Sequence, residues 1–326
     1  MAFPFNFFVT AFLGALLTSL LGLPLWRWWS LRTNLVDDPG HRKIHSAPVP
    51  LAGGFAVLTG ILLPLLAGAL LLKLDIVKVS AANAIVHGLD RRALELLVLG
   101  LGAIAITILG WLDDKHELKA LPKFLGQIVI AIAVAAACKR ITLFVHSEVF
   151  SYAITILWLL TVINAFNFMD NMNGLCAGLG AIGAFFFALI AAAHGEYLVA
   201  ITGFLMCGAL IGFLPWNFPH ARAFLGDAGS HLVGYLLAVM AILPHFYTKQ
   251  NPRHLAVLSP LLVLAVPLLD LAQVTLFRTL NGKPFWIGDT NHVSHRLVAR
   301  GISRRETVLL LWLLAVILGA PACWPG

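Results

Sequence analysis

Residues 96–115 read LLVLGLGAIAITILGWLDDK: from Leu96 to Leu112 there is no charge, and then Asp113 and Asp114 stand side by side. An apolar run of this kind suits a helix crossing a bilayer, which takes roughly 20 residues to span the hydrocarbon core. The acid pair then lies at the negative pole of the helix dipole, and each carboxylate repels the other. A cation must offset both effects. Lys115 and Lys119 are at hand, and so is a bound divalent ion, for which oxygen ligands favour Mg²⁺.

Similar runs recur on both sides of this stretch. The chain of 326 residues is 60% hydrophobic and 11% charged, against about 25% charged in a soluble domain. Candidate spans fall near 3–26, 52–73, 94–112, 123–138, 150–168, 175–193, 197–214, 231–247, 256–277 and 306–323. The expected fold is therefore an all-α integral membrane protein, a bundle of about ten transmembrane helices with active-site loops in the cytoplasm, forming one domain over residues 1–326. The first span has no Lys or Arg before Arg27 and no small-residue cleavage site, so a retained helix is expected rather than a signal peptide. Pro260 and Pro267 predict a bend in the ninth span. Cys138, Cys176, Cys207 and Cys323 show no paired spacing for a metal or redox site. The net charge of +7 is dispersed among apolar helices without a basic stripe, which points to orientation in a lipid bilayer and not to nucleic acid.

Ten spans put both termini on one side of the membrane. Fourteen of the 22 Lys and Arg residues fall in segments 27–50, 113–123, 169–174, 215–230 and 278–305, and the positive-inside rule makes these cytoplasmic and the termini extracytoplasmic. Eight of the 15 acidic residues share those segments, and a ninth, Glu306, adjoins the last of them. Acids follow no such insertion rule, so their bias points to chemistry.

The first of these loops runs Asp37-Asp38-Pro39-Gly40-His41-Arg42-Lys43-Ile44-His45 and ends at Gly53-Gly54. Its Arg and Lys suit phosphate, and its glycines allow close backbone approach; a stop-transfer loop with a packing pair of glycines would look the same. Asn164, Asn167 and Asn171 recur at helical spacing beside Asp170 and Asn173, as contacts for a nucleotide or as glue between helices. Asp227 lies between Gly226 and Ala228-Gly229-Ser230, either as a metal ligand or, with Ser230, as a helix N-cap. His292, His295 and Arg296 sit in a loop rich in Arg, which suits phosphates better than zinc. Asp270 is a carboxylate inside an apolar span, costly enough to count as functional unless it is paired within the bundle.

In this order the motifs resemble the polyprenyl-phosphate N-acetylhexosamine-1-phosphate transferases: a DxPxxRKxHxxPxPxxGG loop, the Asp113-Asp114 pair, an NxxNxxD segment, an FxGDxGS loop and a closing HxxHRL. The likeness spans Asp37 to Leu297. It implies transfer of a sugar 1-phosphate from a UDP-sugar to undecaprenyl phosphate, with release of UMP, in the inner membrane of a bacterium. It also implies Mg²⁺, with Mn²⁺ as a substitute. By position, Asp113, Asp114, Asp227, His292 and His295 would be catalytic, with Asp227 and Asp114 on the metal. Arg42, Lys43, His45, Asn164, Asn167, Asp170, Asn173 and Arg296 would bind substrates. The chain departs from the family pattern twice: the pattern often has DGxDG where Asp170-Asn171-Met172-Asn173-Gly174 stands, and a middle histidine of HxHH is Ser294. The HRL ending resembles the branch using UDP-GlcNAc more than the one using UDP-MurNAc-pentapeptide. A transporter of phosphorylated lipids or nucleotide sugars would also need polar groups among helices, but with a site near the midplane between repeats, and no repeat is evident. A homodimer is an open option that no sequence feature requires.

Overall fold

The structure, a computed structural model, describes residues 5–38, 47–74, 76, 91–138, 140–142, 145–244, 257–282, 284 and 291–323. Arg42, Lys43 and His45 lie outside the described residues. The described elements are α1 (Phe5–Arg32), β1 (Val36–Asp37), β2 (Val49–Pro50), α2 (Gly53–Lys73), α3 (Ala93–His116), α4 (Ala120–Ala137), α5 (Glu148–Met169), α6 (Leu175–Ala193), α7 (Tyr197–Asn217), α8 (Gly226–Met240), α9 (Ser259–Val263), α10 (Ala265–Leu280), α11 (Val293–Ala299) and α12 (Arg304–Gly319), which runs into a 3₁₀ turn at Ala320–Cys323.

Among the described residues, eight helices are long and apolar enough to cross a membrane: α1 to α7, and α12 with its 3₁₀ turn. The other two expected spans differ in an instructive way. The eighth starts at Gly226, not at 231, and its 15 residues rise only about 22 Å. The ninth is broken at Leu264 into α9 and α10. Pro267 explains the break, because it has no N–H to give the carbonyl four residues back and its ring crowds that carbonyl; that residue is Val263, the last of α9.

Helix α8 is the hub. Every one of its residues except Asp227 is buried, and it packs against α2, α3, α5 and α6. Lipid provides no hydrophobic force between helices, so such contacts depend on close packing of small residues. A Cβ on Gly54 of α2 would lie 2.5 Å from the Gly229 nitrogen, and one on Gly110 of α3 would lie 2.4 Å from the Asp227 carbonyl oxygen. The Gly53-Gly54 pair is thus a seat for α8. Farther along, the buried Tyr235 hydroxyl donates to the Leu99 carbonyl at 3.0 Å.

The sheet is a two-residue antiparallel pairing, Val36 with Pro50 and Asp37 with Val49. Leu51 bridges to Phe224, and the Gly53 and Gly54 N–H groups donate to the carbonyls of Phe224 and Leu225 at 2.9 and 3.0 Å. These bonds stitch the first loop to the entry of α8.

Candidate active site

Contacts tie all five of the acid-rich segments together at one end of the bundle. Arg27 donates to the Arg222 carbonyl, Lys123 reaches Asp113 and Asp227, Asn173 reaches the Pro219 carbonyl, and Ser294 reaches Asn171.

The centre is the first turn of α8. Leu225 stands at its N-cap and makes no side-chain cap bond. Asp114 of α3 supplies the cap instead: its Oδ1 accepts the Asp227 N–H at 2.7 Å and its Oδ2 the Ala228 N–H at 3.0 Å. The dipole penalty read from the sequence is real for α3, yet the same carboxylate sits at the positive pole of α8, where a negative charge is favoured. Gly226 makes the approach feasible, with φ +72° and an absent Cβ that would fall 2.7 Å from Asp114 Oδ2.

Asp113 turns the other way. It accepts the Leu118 N–H at 2.9 Å and the Lys123 ammonium at 2.6 Å. Lys123 also lies 3.2 Å from Asp227 and 3.4 Å from the Asn167 oxygen. Asn167 donates from its amide nitrogen to Asp227 and, at 3.1 Å, to Ser230. Asp227 is more open than Asp113, its side chain 31% exposed against 7%.

The Asn-rich segment does not act as one face. Asn164 is spent on Gln127 and the Leu160 carbonyl, both at 2.8 Å, and so joins α5 to α4. Asn173 donates to the Pro219 carbonyl at 3.2 Å. Asp170, at the end of α5, has its carboxyl pushed up to about 7: loss of surrounding water is the main cause, the charge of Asp227 adds to it, and an N–H from Gly226 opposes it.

On the far side, Asp270 of α10 finds the partner its burial demands. Its two oxygens take His292 Nδ1 and the Val293 N–H, both at 2.7 Å, so it orients the imidazole and caps α11. With Nδ1–H directed to a carboxylate, a neutral His292 presents Nε2 as its acceptor. His295 lies 6.1 Å from it between ring centroids, while Arg296 is exposed, its guanidinium 5.6 Å over the Phe277 ring.

One contributor escaped the sequence reading, and a second, Arg278, reads there only as one charge of the basic loop. Lys123 was counted only as a loop charge, although a cation in the first turn of α4 opposes that helix's dipole and so signals an acidic partner. Arg278, 2% exposed with its guanidinium 5.1 Å over Phe168, shares with Asp270 and Val274 the four-residue spacing of one buried face.

The donor set suits a hard cation. Among the described residues no three His, Cys, Asp or Glu side chains form a ready-made metal cage, but Mg²⁺ is usually held by one or two carboxylates plus substrate phosphates and water. The strain on Asp170 and the proximity of Asp227 supply the negative charge such an ion offsets.

The family model described as glycosyl transferase family 4 matches residues 96–245. The chain is 30% identical over 322 residues to a probable undecaprenyl-phosphate N-acetylglucosaminyl 1-phosphate transferase of Bacillus subtilis, covering 96% of this chain and 84% of that protein. It is 33% identical to a decaprenyl-phosphate N-acetylglucosaminephosphotransferase of Mycobacterium tuberculosis, covering 90% and 77%. This chain belongs to glycosyl transferase family 4. More distantly, it is 25% identical over 305 residues to an undecaprenyl-phosphate alpha-N-acetylglucosaminyl 1-phosphate transferase of Yersinia pestis, covering 89% and 76%. The family match takes in the acid pair, the Asn-rich segment and the turn that begins α8. It leaves out the His292 segment, which the longer alignments reach.

Proposed function

We propose that this chain transfers N-acetylglucosamine 1-phosphate from UDP-GlcNAc to undecaprenyl phosphate, releasing UMP, as the first membrane step of a cell-envelope glycan. One observation carries the reading: a carboxylate and lysine cluster at the first turn of α8 sits at the same end of the bundle as an Asp270–His292 pair that borders an apolar cavity. That cavity, about 510 Å³, is lined by Met169, Val266, Leu269, Leu276 and Leu311 and ends on Asp270 and Ser294. Leu269 and Leu276 are 63% and 59% exposed on α10, so the cavity opens towards the bilayer and suits a prenyl chain whose phosphate rests near His292.

In the reaction an oxygen of the lipid phosphate attacks the phosphorus that bears the sugar. The bond from that phosphorus to the bridging oxygen breaks, and UMP leaves with the electron pair. Such transfers are catalysed mainly by positioning and charge neutralisation. Asp227, with Asp170 beside it and Asp114 behind it, would hold Mg²⁺, which when bound neutralises phosphoryl charge. Asn167 orients Asp227, and Lys123 keeps Asp113 and Asp227 bridged by a positive charge. Asp270 holds His292 for contact with the diphosphate, and His295 and Arg296 add donors and charge. Asn173 would add a contact to the nucleotide. The excess of Lys and Arg in these segments supports a cytoplasmic site, with both termini on the other side of the membrane.

Purified protein given undecaprenyl phosphate, Mg²⁺ and a panel of UDP-sugars including UDP-MurNAc-pentapeptide should release UMP fastest from UDP-GlcNAc. Asp227→Ala should cut that rate by a factor of at least about 10² with little change in melting temperature. Full activity in that variant, or in EDTA, would sink the mechanism; binding without UMP release for every donor would favour transport.

A further inference from the structure

The acid cluster and the histidine segment come from distant parts of the chain, and the reaction requires them to face one substrate. Helix α11 has seven residues, too few to hold itself in place. Its apolar residues Val293, Leu297 and Val298 rest on the core, and Asp270 grips its first turn. Neither contact touches the acid side of the site.

Beside the edge-to-face contact of Phe168 with His292, 5.5 Å between ring centroids, one side-chain hydrogen bond reaches that side. The Ser294 hydroxyl, fully buried, donates to Asn171 Oδ1 at 2.8 Å. The other end of the same amide donates to the Phe168 carbonyl at 2.7 Å, which fixes the amide so that its oxygen faces α11. Asn171 directly follows Asp170 and lies one turn beyond Asn167, which holds Asp227. Ser294 stands between His292 and His295.

These are also two positions at which the chain departs from its family pattern. Asn171 replaces a glycine of DGxDG and Ser294 replaces the middle histidine of HxHH, so both departures are ends of one bond. A glycine has no side chain to make it.

Resting on the transferase reading above, we infer that the Asn171–Ser294 hydrogen bond sets the histidine segment in register with the acid cluster, making Asn171 and Ser294 positioning residues. Neither need touch substrate. A buried hydroxyl that loses its partner costs free energy, and here the loss lets α11 shift against the α5 corner and carry His292 and His295 off their mark.

The test is a double-mutant cycle on the full-length protein, with Asn171→Ala, Ser294→Ala, the pair together and Ser294→Thr. Each is assayed for UMP release against both substrates, for melting temperature, and for hydrogen exchange over 291–300. Each single alanine variant, assayed well below its melting temperature, should lower kcat roughly tenfold, about 1.4 kcal/mol, with donor KM little changed, a modest drop in melting temperature and faster exchange in Val293–Ala299. The double variant should be no slower than the slower single, because residues joined in one contact are not additive. Ser294→Thr keeps the hydroxyl, and Ser294 lines the adjoining cavity, so it should run near the parent rate. Multiplied effects in the double variant, parent kcat in either single, or losses that merely follow unfolding would overturn the inference. A parent inactive with every donor would overturn the transferase reading instead, leaving exchange and melting to judge the contact.

Discussion

Asp113 and Asp114 are neighbours in sequence and have separate surroundings. Asp114 gives both oxygens to backbone N–H groups of α8, whereas Asp113 pairs with Lys123. Removing Asp114 therefore strips two buried donors of their acceptor, at about 1–3 kcal/mol each. Asp114→Ala is expected to lower stability by roughly 2–6 kcal/mol, seen as a clear drop in melting temperature, while Asp227→Ala melts close to the parent. Equal melting of all three proteins would refute the capping role. The sequence made the acid pair conspicuous but could not divide its labour, since that depends on which helix end lies opposite each carboxylate.

Helices α2, α3 and α8 meet through backbone, and that contact has no slack. A methyl group at position 110 would overlap the peptide between Asp227 and Ala228. Gly110→Ala should push α3 away from α8, destabilise by about 1–3 kcal/mol as overpacking does, and reduce UMP release even at temperatures where the protein stays folded. If Gly110→Ala melts and turns over like the parent, the close approach is not required. Helix existence and a bend in the ninth span were legible from composition and proline chemistry, although the structure breaks that span outright at Leu264. The start of α8 was not: its first turn, Gly226-Asp227-Ala228-Gly229-Ser230, reads as a loop because its glycines serve packing and a positive φ rather than helix propensity.

Five segments converge to make one site, and the crowding of charge they create belongs to the assembled bundle. Asp170 illustrates the consequence. Its pKa rises from 3.8 to about 7 on folding, so between those values the folded protein holds a proton that the unfolded chain has released. Stability then falls as pH rises through that window and levels off above about pH 7, where the carboxyl ionises in both states. In EDTA, Asp170→Asn should melt above the parent at pH 8, with the gap closing towards pH 4; no gap at pH 8, or one that widens in acid, would contradict the shift. Added Mg²⁺ should raise the parent's melting temperature at pH 8 more than the variant's, because a bound cation offsets the same repulsion.

The apolar runs determined that this chain builds a helical membrane protein, and the ordered motifs determined which residues gather at one end. Both are written in local chemistry: hydrocarbon admits only backbone that satisfies its own hydrogen bonds, and charge collects where water remains. The pairings were decided by packing. Asp114 capping α8, Lys123 bridging Asp113 and Asp227, Asp270 orienting His292 and Asn171 holding Ser294 each join residues from different elements, so no spacing along the chain encodes them. The first of them follows from how closely Gly110 and Gly226 let α3 and α8 approach.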